Sequence, residues 1–244
     1  MNPSFSRSAI LYGEAAQDKF RRARVAVCGT GAVGTFAVEA LARMGIGGFR
    51  LFDSDTVDVS NINRQLCALH STLGMKKAEV VRARILDINP EADVKTFDFF
   101  ICAETLESVF GERPDVIVDA IDSLSPKSLL IKEAVLRGVS IVSSMGAARK
   151  IDPLKIKVGD IFDTRVCPVA ARIRRELRGA GMSKGCMCVY SEEAVSEKSH
   201  LKSGAENTKK IMGSTPVVTG AFGLVLANLA VGEILSHSQT GGNS

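Results

Sequence analysis

Three glycines at the spacing Gly29-x-Gly31-x-x-Gly34 follow the apolar run Val25-Ala-Val-Cys28 and open an amphipathic stretch over 32–44. A strand that feeds a glycine turn and then a helix points backbone N–H groups and the positive end of the helix dipole at one spot, which is chemistry for phosphate. Gly29 allows the tight turn, Gly31 lets the backbone approach phosphates with no side chain in the way, and Gly34 lets the helix pack close against the strand. Asp53 closes the next strand nineteen positions after Gly34, where a carboxylate meets a ribose hydroxyl. A polar loop follows with Asp55, Asn61, Arg64 and Gln65, and then Lys77. A dinucleotide needs no such cations beside its adenosine half. A triphosphate does, because charge develops at phosphorus and fixed cations stabilise it.

The elements that must carry these residues alternate. Beyond the first strand and the helix over 32–44, a helix is predicted over 76–88 and stopped by Asn89-Pro90. Strand 94–98, helix 103–110, strand 115–119, helix 126–137 and strand 140–144 complete a doubly wound, Rossmann-like α/β sheet. Asp119-Ala-Ile-Asp122 then lies at the carboxyl edge of that sheet, where ligands of open α/β folds bind. An arm and short amphipathic helix over 5–20 precede the first strand, with Arg7 as its notable cation. Past Ile151 the pattern loosens into a strand over 154–158, a basic helix over 168–178, a strand over 186–190 and a polar loop over 192–213. The apolar run 216–235 is long enough for a membrane span, but Gly220, Gly223, Asn228, Gly232 and Glu233 favour a long buried C-terminal helix, before a disordered tail. The expected organisation is an arm (1–24), an ATP-binding core (25–152), a C-terminal elaboration (153–235) and a tail (236–244), together one domain.

The ordered set Gly29-x-Gly31-x-x-Gly34, Asp53-x-Asp55, Asn61-x-x-Arg64-Gln65, Lys77 and Asp119-Ala-Ile-Asp122 resembles the adenylating, E1-like superfamily, whose members activate a carboxylate with ATP. Within it, Phe5-Ser-Arg7-x-x-x-Leu11-Tyr-Gly13, Asn61-Ile-Asn-Arg-Gln, Ile151-Asp-Pro153 and Cys188-Val-Tyr-Ser191-Glu192 resemble the bacterial tRNA threonylcarbamoyladenosine dehydratases. The resemblance implies that Asp53 holds the ribose while Asn61, Arg64 and Lys77 contact the phosphates of ATP. It also implies that Arg7 joins from the neighbouring protomer of a homodimer and that Asp122 binds Mg²⁺. Taken singly, Arg64 and Lys77 also fit a surface ion pair, and Asp122 fits a helix cap before Pro126. Two further features stay open: a monovalent cation ordering the region after Ile151, and docking of a sulfurtransferase-system protein.

Composition narrows the partners. The chain of 244 residues is 45% hydrophobic with a net charge of +4, enough for a full core with a mild basic excess. Five basic residues, Arg172, Arg174, Arg175, Arg178 and Lys184, face one acid, Glu176, in the segment 167–184, and they could follow an RNA backbone, together with Lys209 and Lys210. The bland reading of that run is a solvated helix face. Two Tyr and no Trp leave few platforms for stacked bases. The six cysteines contain no C-x-x-C pair, which argues for a reducing cytoplasm and against the zinc that accompanies adenylation of a sulfur-carrier protein's diglycine tail. Cys188 reads either as a packed thiol or as a site that receives sulfur or forms a thioester. Three functions therefore stand side by side: dehydration of threonylcarbamoyladenosine on tRNA, activation of a sulfur-carrier or ubiquitin-like protein, and a non-catalytic nucleotide sensor, which would leave Arg64, Lys77 and Asp122 without a role.

Overall fold

The computed structural model describes residues 2–195, 200–201 and 211–236. After a 3-10 turn come α1 (Ser6–Tyr12) and α2 (Glu14–Arg22), then β1 (Arg24–Cys28), α3 (Gly34–Arg43), β2 (Gly48–Phe52), α4 (Lys77–Ile88) and β3 (Asp93–Phe97). The chain continues with α5 (Glu107–Phe110), β4 (Val116–Asp119), α6 (Leu124–Leu136), β5 (Ile141–Ser144) and β6 (Ile156–Asp160). It then forms α7 (Pro168–Gly179), β7 (Met187–Ser191), the short pair β8 (His200–Leu201) and β9 (Ile211–Met212), and α8 (Pro216–Ser236).

Seven strands make one sheet in the order β3-β2-β1-β4-β5-β7-β6. All neighbours are parallel except β6, which runs antiparallel to β7 at the edge. The doubly wound sheet expected from the sequence is therefore present, and the C-terminal elaboration extends it with two further strands. Alternation along β1 sends Val25 and Val27 into one core and Ala26 and Cys28 into the other. The first core also takes residues of α3, α4 and α8, and the second takes α5, α6 and α7, so helices cover both faces.

Helix α8 has the length and composition of a membrane span, yet Val218, Phe222, Leu226, Ala230 and Ile234 are buried in the first core. It runs across β4, β5 and β7 and against α3. Its contact with α3 is backbone-close: a Cβ on Gly223 would lie 2.4 Å from the Val33 carbonyl oxygen. Lys19 Nζ donates to the Leu235 carbonyl at 2.7 Å, placing a cation at the negative end of the helix. The buried C-terminal helix is thus as the sequence predicts.

Three differences from the sequence reading have a local cause. The helix expected over 103–110 survives only as α5, because the Thr105 hydroxyl bonds the Phe100 carbonyl and the Cys102 N–H and holds the preceding residues in a turn. The strand expected over 154–158 starts later, because Asp152 accepts from Leu154 N at 2.9 Å and caps a 3-10 turn at Pro153–Lys155. The arm is two helices, broken at Gly13 with φ +87°. Most of the expected loop over 192–213, Lys209, Lys210 and the tail after Ser236 lie outside the described residues.

Candidate functional site

Hydrogen bonds tie the glycine turn to the ends of two strands. Gly29, at φ +93°, donates to the Phe52 carbonyl at 2.8 Å. A Cβ on Gly34 would lie 1.9 Å from the Gly29 carbonyl oxygen, so α3 begins in direct backbone contact with the turn. Gly31 is different. Among the described residues its Cβ position meets only Gln65 Nε2 at 3.8 Å, so they leave the space over this residue open. That opening, at the N-terminus of α3, fits a phosphate.

Asp53 belongs to the same unit. Its Oδ2 accepts from Thr30 N at 2.7 Å and Thr30 Oγ1 at 2.9 Å, and its Oδ1 from Asp55 N at 2.9 Å. Lys77, 5% exposed, opens α4 and donates from Nζ to Asp55 Oδ2 at 2.8 Å. The lysine is thus held over the end of β2 by a carboxylate that itself remains 68% exposed. Arg64 is half-buried and folded back on its own loop, with Nη1 donating to Ser60 O at 2.7 Å and Asn63 Oδ1 at 2.9 Å. Asn61 is buried, and its side-chain carbonyl oxygen is consumed by Asp58 N at 3.1 Å. On the far side of the turn, Ala120 O would lie 2.8 Å from a Cβ on Gly29, and two residues on Asp122 is exposed with Ser123 Oγ at 3.2 Å. The structure therefore gathers the glycines, Asp53, Asp55 and Lys77 around one edge, with the Gln65 loop and Asp122 on its flanks. Arg7 is not among them: it is exposed on α1, which packs against α2 and the N-terminal turn.

Sequence reasoning passed over the buried ion pair under this edge, Asp119 with Lys127, at 2.6 Å. The signal was available, since a carboxylate closing the wholly apolar run Val116-Ile-Val requires a partner when buried. The basic helix also divides. Arg172, Arg175 and Arg178 are exposed on α7, and Lys184 is exposed beyond it. Arg174 turns inward and donates to Ile161 O and Thr164 O, each at 3.0 Å, so it joins α7 to the preceding turn rather than offering charge to a partner. Cys188 is fully buried, and desolvation pushes its thiol up to about 12, which keeps it protonated as a packing residue.

The model of the ThiF family matches residues 5–241. The chain belongs to the ThiF family. Among relatives, the tRNA threonylcarbamoyladenosine dehydratase of Bacillus subtilis is 39% identical over 231 residues, covering 93% of this chain and 91% of the relative. The E. coli tRNA N6-threonylcarbamoyladenosine dehydratase in complex with ATP superposes with a TM-score of 0.87 at 37% identity, over 95% of this chain and 93% of that one. The same enzyme with AMP superposes at 0.85, with 36% identity over 95% and 94% of the two chains. By contrast, an adenylyltransferase and sulfurtransferase of Ogataea parapolymorpha is 30% identical over only 55% of this chain and 34% of its own length.

Proposed function

We propose that this ThiF-family chain is an ATP-dependent tRNA threonylcarbamoyladenosine dehydratase. The observation that carries the reading is the likeness to an ATP-bound dehydratase over 95% of this chain. The likeness to an enzyme that also transfers sulfur stops at about half the chain.

The chemistry follows from the substrate. The threonyl carboxylate attacks the α-phosphorus of ATP, pyrophosphate leaves, and the acyl-adenylate carries AMP as its leaving group. Attack from within the modification then closes a ring and releases AMP, so the nucleoside loses one water overall. No enzyme nucleophile is required, in keeping with the buried, protonated state of Cys188. The backbone at Gly29, Gly31 and Gly34 would receive the phosphates, Asp53 the ribose, and Asn61, Arg64 and Lys77 the negative charge, with Arg7 reaching in from a second protomer. Asp122 would hold Mg²⁺ against the triphosphate. Among the described residues no cluster of three ligating side chains exists, and Mg²⁺ in nucleotide sites is commonly bound by one or two carboxylates plus the phosphates. Arg172, Arg175, Arg178 and Lys184 would follow the tRNA backbone.

Incubating the protein with ATP, Mg²⁺ and tRNA bearing the modification should yield, after digestion, a nucleoside lighter by one water in the mass spectrum. Asp122→Asn should abolish it. An unchanged mass, together with ATP–pyrophosphate exchange only in the presence of a diglycine-tailed carrier protein, would overturn this reading in favour of carrier activation.

The division of the basic helix makes a separate prediction. Arg172→Ala/Arg175→Ala/Arg178→Ala should weaken tRNA binding and reduce the slope of log affinity against log salt by about 1 for each phosphate that is no longer neutralised. Arg174→Ala should leave that slope unchanged and lower the Tm instead. Equal slopes for the triple variant and the parent, measured by filter binding over a salt series, would remove α7 from the RNA interface.

A further inference from the structure

The ion pair beneath the site has a place in the fold that stability alone does not explain. Asp119 is 0% and Lys127 2% exposed, and the Asp119 Oδ2 that accepts from Lys127 also accepts from Ser143 Oγ at 2.5 Å. Cys28, Asp119, Ser143 and Cys188 are successive register partners on β1, β4, β5 and β7, so the pair sits in the middle of a row across the sheet. Its surroundings are the second hydrophobic core. Burying two charges there costs about as much in desolvation as their attraction returns. An ammonium on the first turn of α6 also opposes the helix dipole.

Both costs fall on the connection between β4 and α6. The Asp119 Oδ1 accepts from Ile121 N at 3.1 Å, while Lys127, whose N–H donates to Ser123 O at 3.3 Å, brings the helix end of the connection back to the same carboxylate. Ala120 N donates to Cys28 O at 2.9 Å, and the Ala120 carbonyl abuts Gly29. Residues 119–127 thus form a ring closed by one carboxylate. Asp122 is exposed on it, two residues after the Ala120 carbonyl that abuts Gly29.

We propose that Lys127 and Asp119 are positioning residues that clasp this connection and hold Asp122 at a fixed distance from the phosphate turn. The proposal rests on the reading that Asp122 acts on the triphosphate. Neither residue touches substrate. Their effect runs through the placement of the Asp122 carboxylate, and displacements of about 1 Å at such a group can cost about 10²-fold in rate.

Two variants test the clasp, each read for Tm, for kcat with modified tRNA, and for ATP affinity with and without Mg²⁺. Lys127→Met should lower kcat by about 10²-fold and erase most of the gain in ATP affinity that Mg²⁺ confers. Asp119→Asn/Lys127→Met removes both charges, so its Tm should return toward the parent's while kcat and the Mg²⁺ effect stay low. If Lys127→Met fails to fold, the double variant decides alone. Recovery of kcat together with Tm in the double variant, or a parental kcat in Lys127→Met, would reduce the pair to a structural role. A parent protein that binds Mg²⁺ and ATP but leaves the nucleoside unchanged would instead count against the dehydratase reading, while the Mg²⁺ effect on ATP affinity would still report on the clasp.

Discussion

Lys77→Met is expected to lower the rate of adenylation by about 10²- to 10³-fold, the cost of removing one preorganised charge from a site where negative charge develops, and to leave the Tm almost unchanged. The separation of the two effects follows from the surroundings of each end of the ion pair. The lysine is 5% exposed and its stem is packed at the start of α4, so a methionine of similar length can fill the same space. Its partner Asp55 is 68% exposed. Once the lysine is gone, water solvates that carboxylate, so the variant leaves no uncompensated buried charge behind. The resting contact at 2.8 Å therefore holds the ammonium in place for a triphosphate more than it stabilises the fold. Single-turnover formation of AMP and pyrophosphate, compared with thermal unfolding of the same preparation, separates the two. A Tm loss large enough to account for the lost rate would assign Lys77 to the fold. A rate within a few fold of the parent's would take it out of the phosphate site. Lys77→Arg is not a conservative control, since a planar, forked guanidinium does not reproduce the compact point charge that meets Asp55.

How much of this could be read from the chain depended on whether the signal was local. The glycine turn and Asp53 were legible because their spacing follows from one strand–turn–helix unit and the strand after it, whereas Lys77, across a long polar loop at the start of α4, was singled out through the resemblance. The sheet was legible for the same reason, down to the buried runs Val116-Ile-Val and Ile141-Val. Arg174 was not. It sits among three other arginines, and only the fold of the preceding turn, which brings Ile161 O and Thr164 O within 3.0 Å, turns it away from solvent. Lys127 was missed because its partner is eight residues away and the third member of the network, Ser143, is on another strand. The helix over 103–110 was overpredicted because apolar spacing does not register a threonine hydroxyl that competes for the backbone. In each miss the deciding contact is made by tertiary structure, or by a side chain whose hydrogen bonding the hydrophobic pattern does not encode.

Gly34→Ala should be a strongly damaging single methyl group, and the geometry says why it cannot be absorbed. The new Cβ would lie 1.9 Å from the Gly29 carbonyl oxygen and 2.9 Å from its carbon. Both are backbone atoms, so no rotamer change relieves the overlap. Only a shift of α3 away from the turn would help, and the start of that helix is already held by α8: Gly223 approaches Val33 O and the Phe36 side chain so closely that its own Cβ would stand 2.4 and 2.6 Å from them. The strain then spreads into the α3–α8 packing or opens the turn. Overpacking of this kind costs about 1–3 kcal/mol, sometimes more, which for a domain of this size is a Tm loss of about 2–4 °C per kcal/mol. ATP binding should fall with it, because the N–H groups that receive phosphate belong to the distorted turn. Gly31→Ala supplies the contrast. Among the described residues nothing but Gln65 Nε2 at 3.8 Å stands near its added Cβ, so the Tm should hold while ATP affinity drops, the methyl occupying space that the phosphates need. Unfolding curves with and without ATP decide between these outcomes. If Gly31→Ala binds ATP as the parent does, the opening over Gly31 is not the phosphate cradle, and the nucleotide must enter the edge from the side of Asp122 instead.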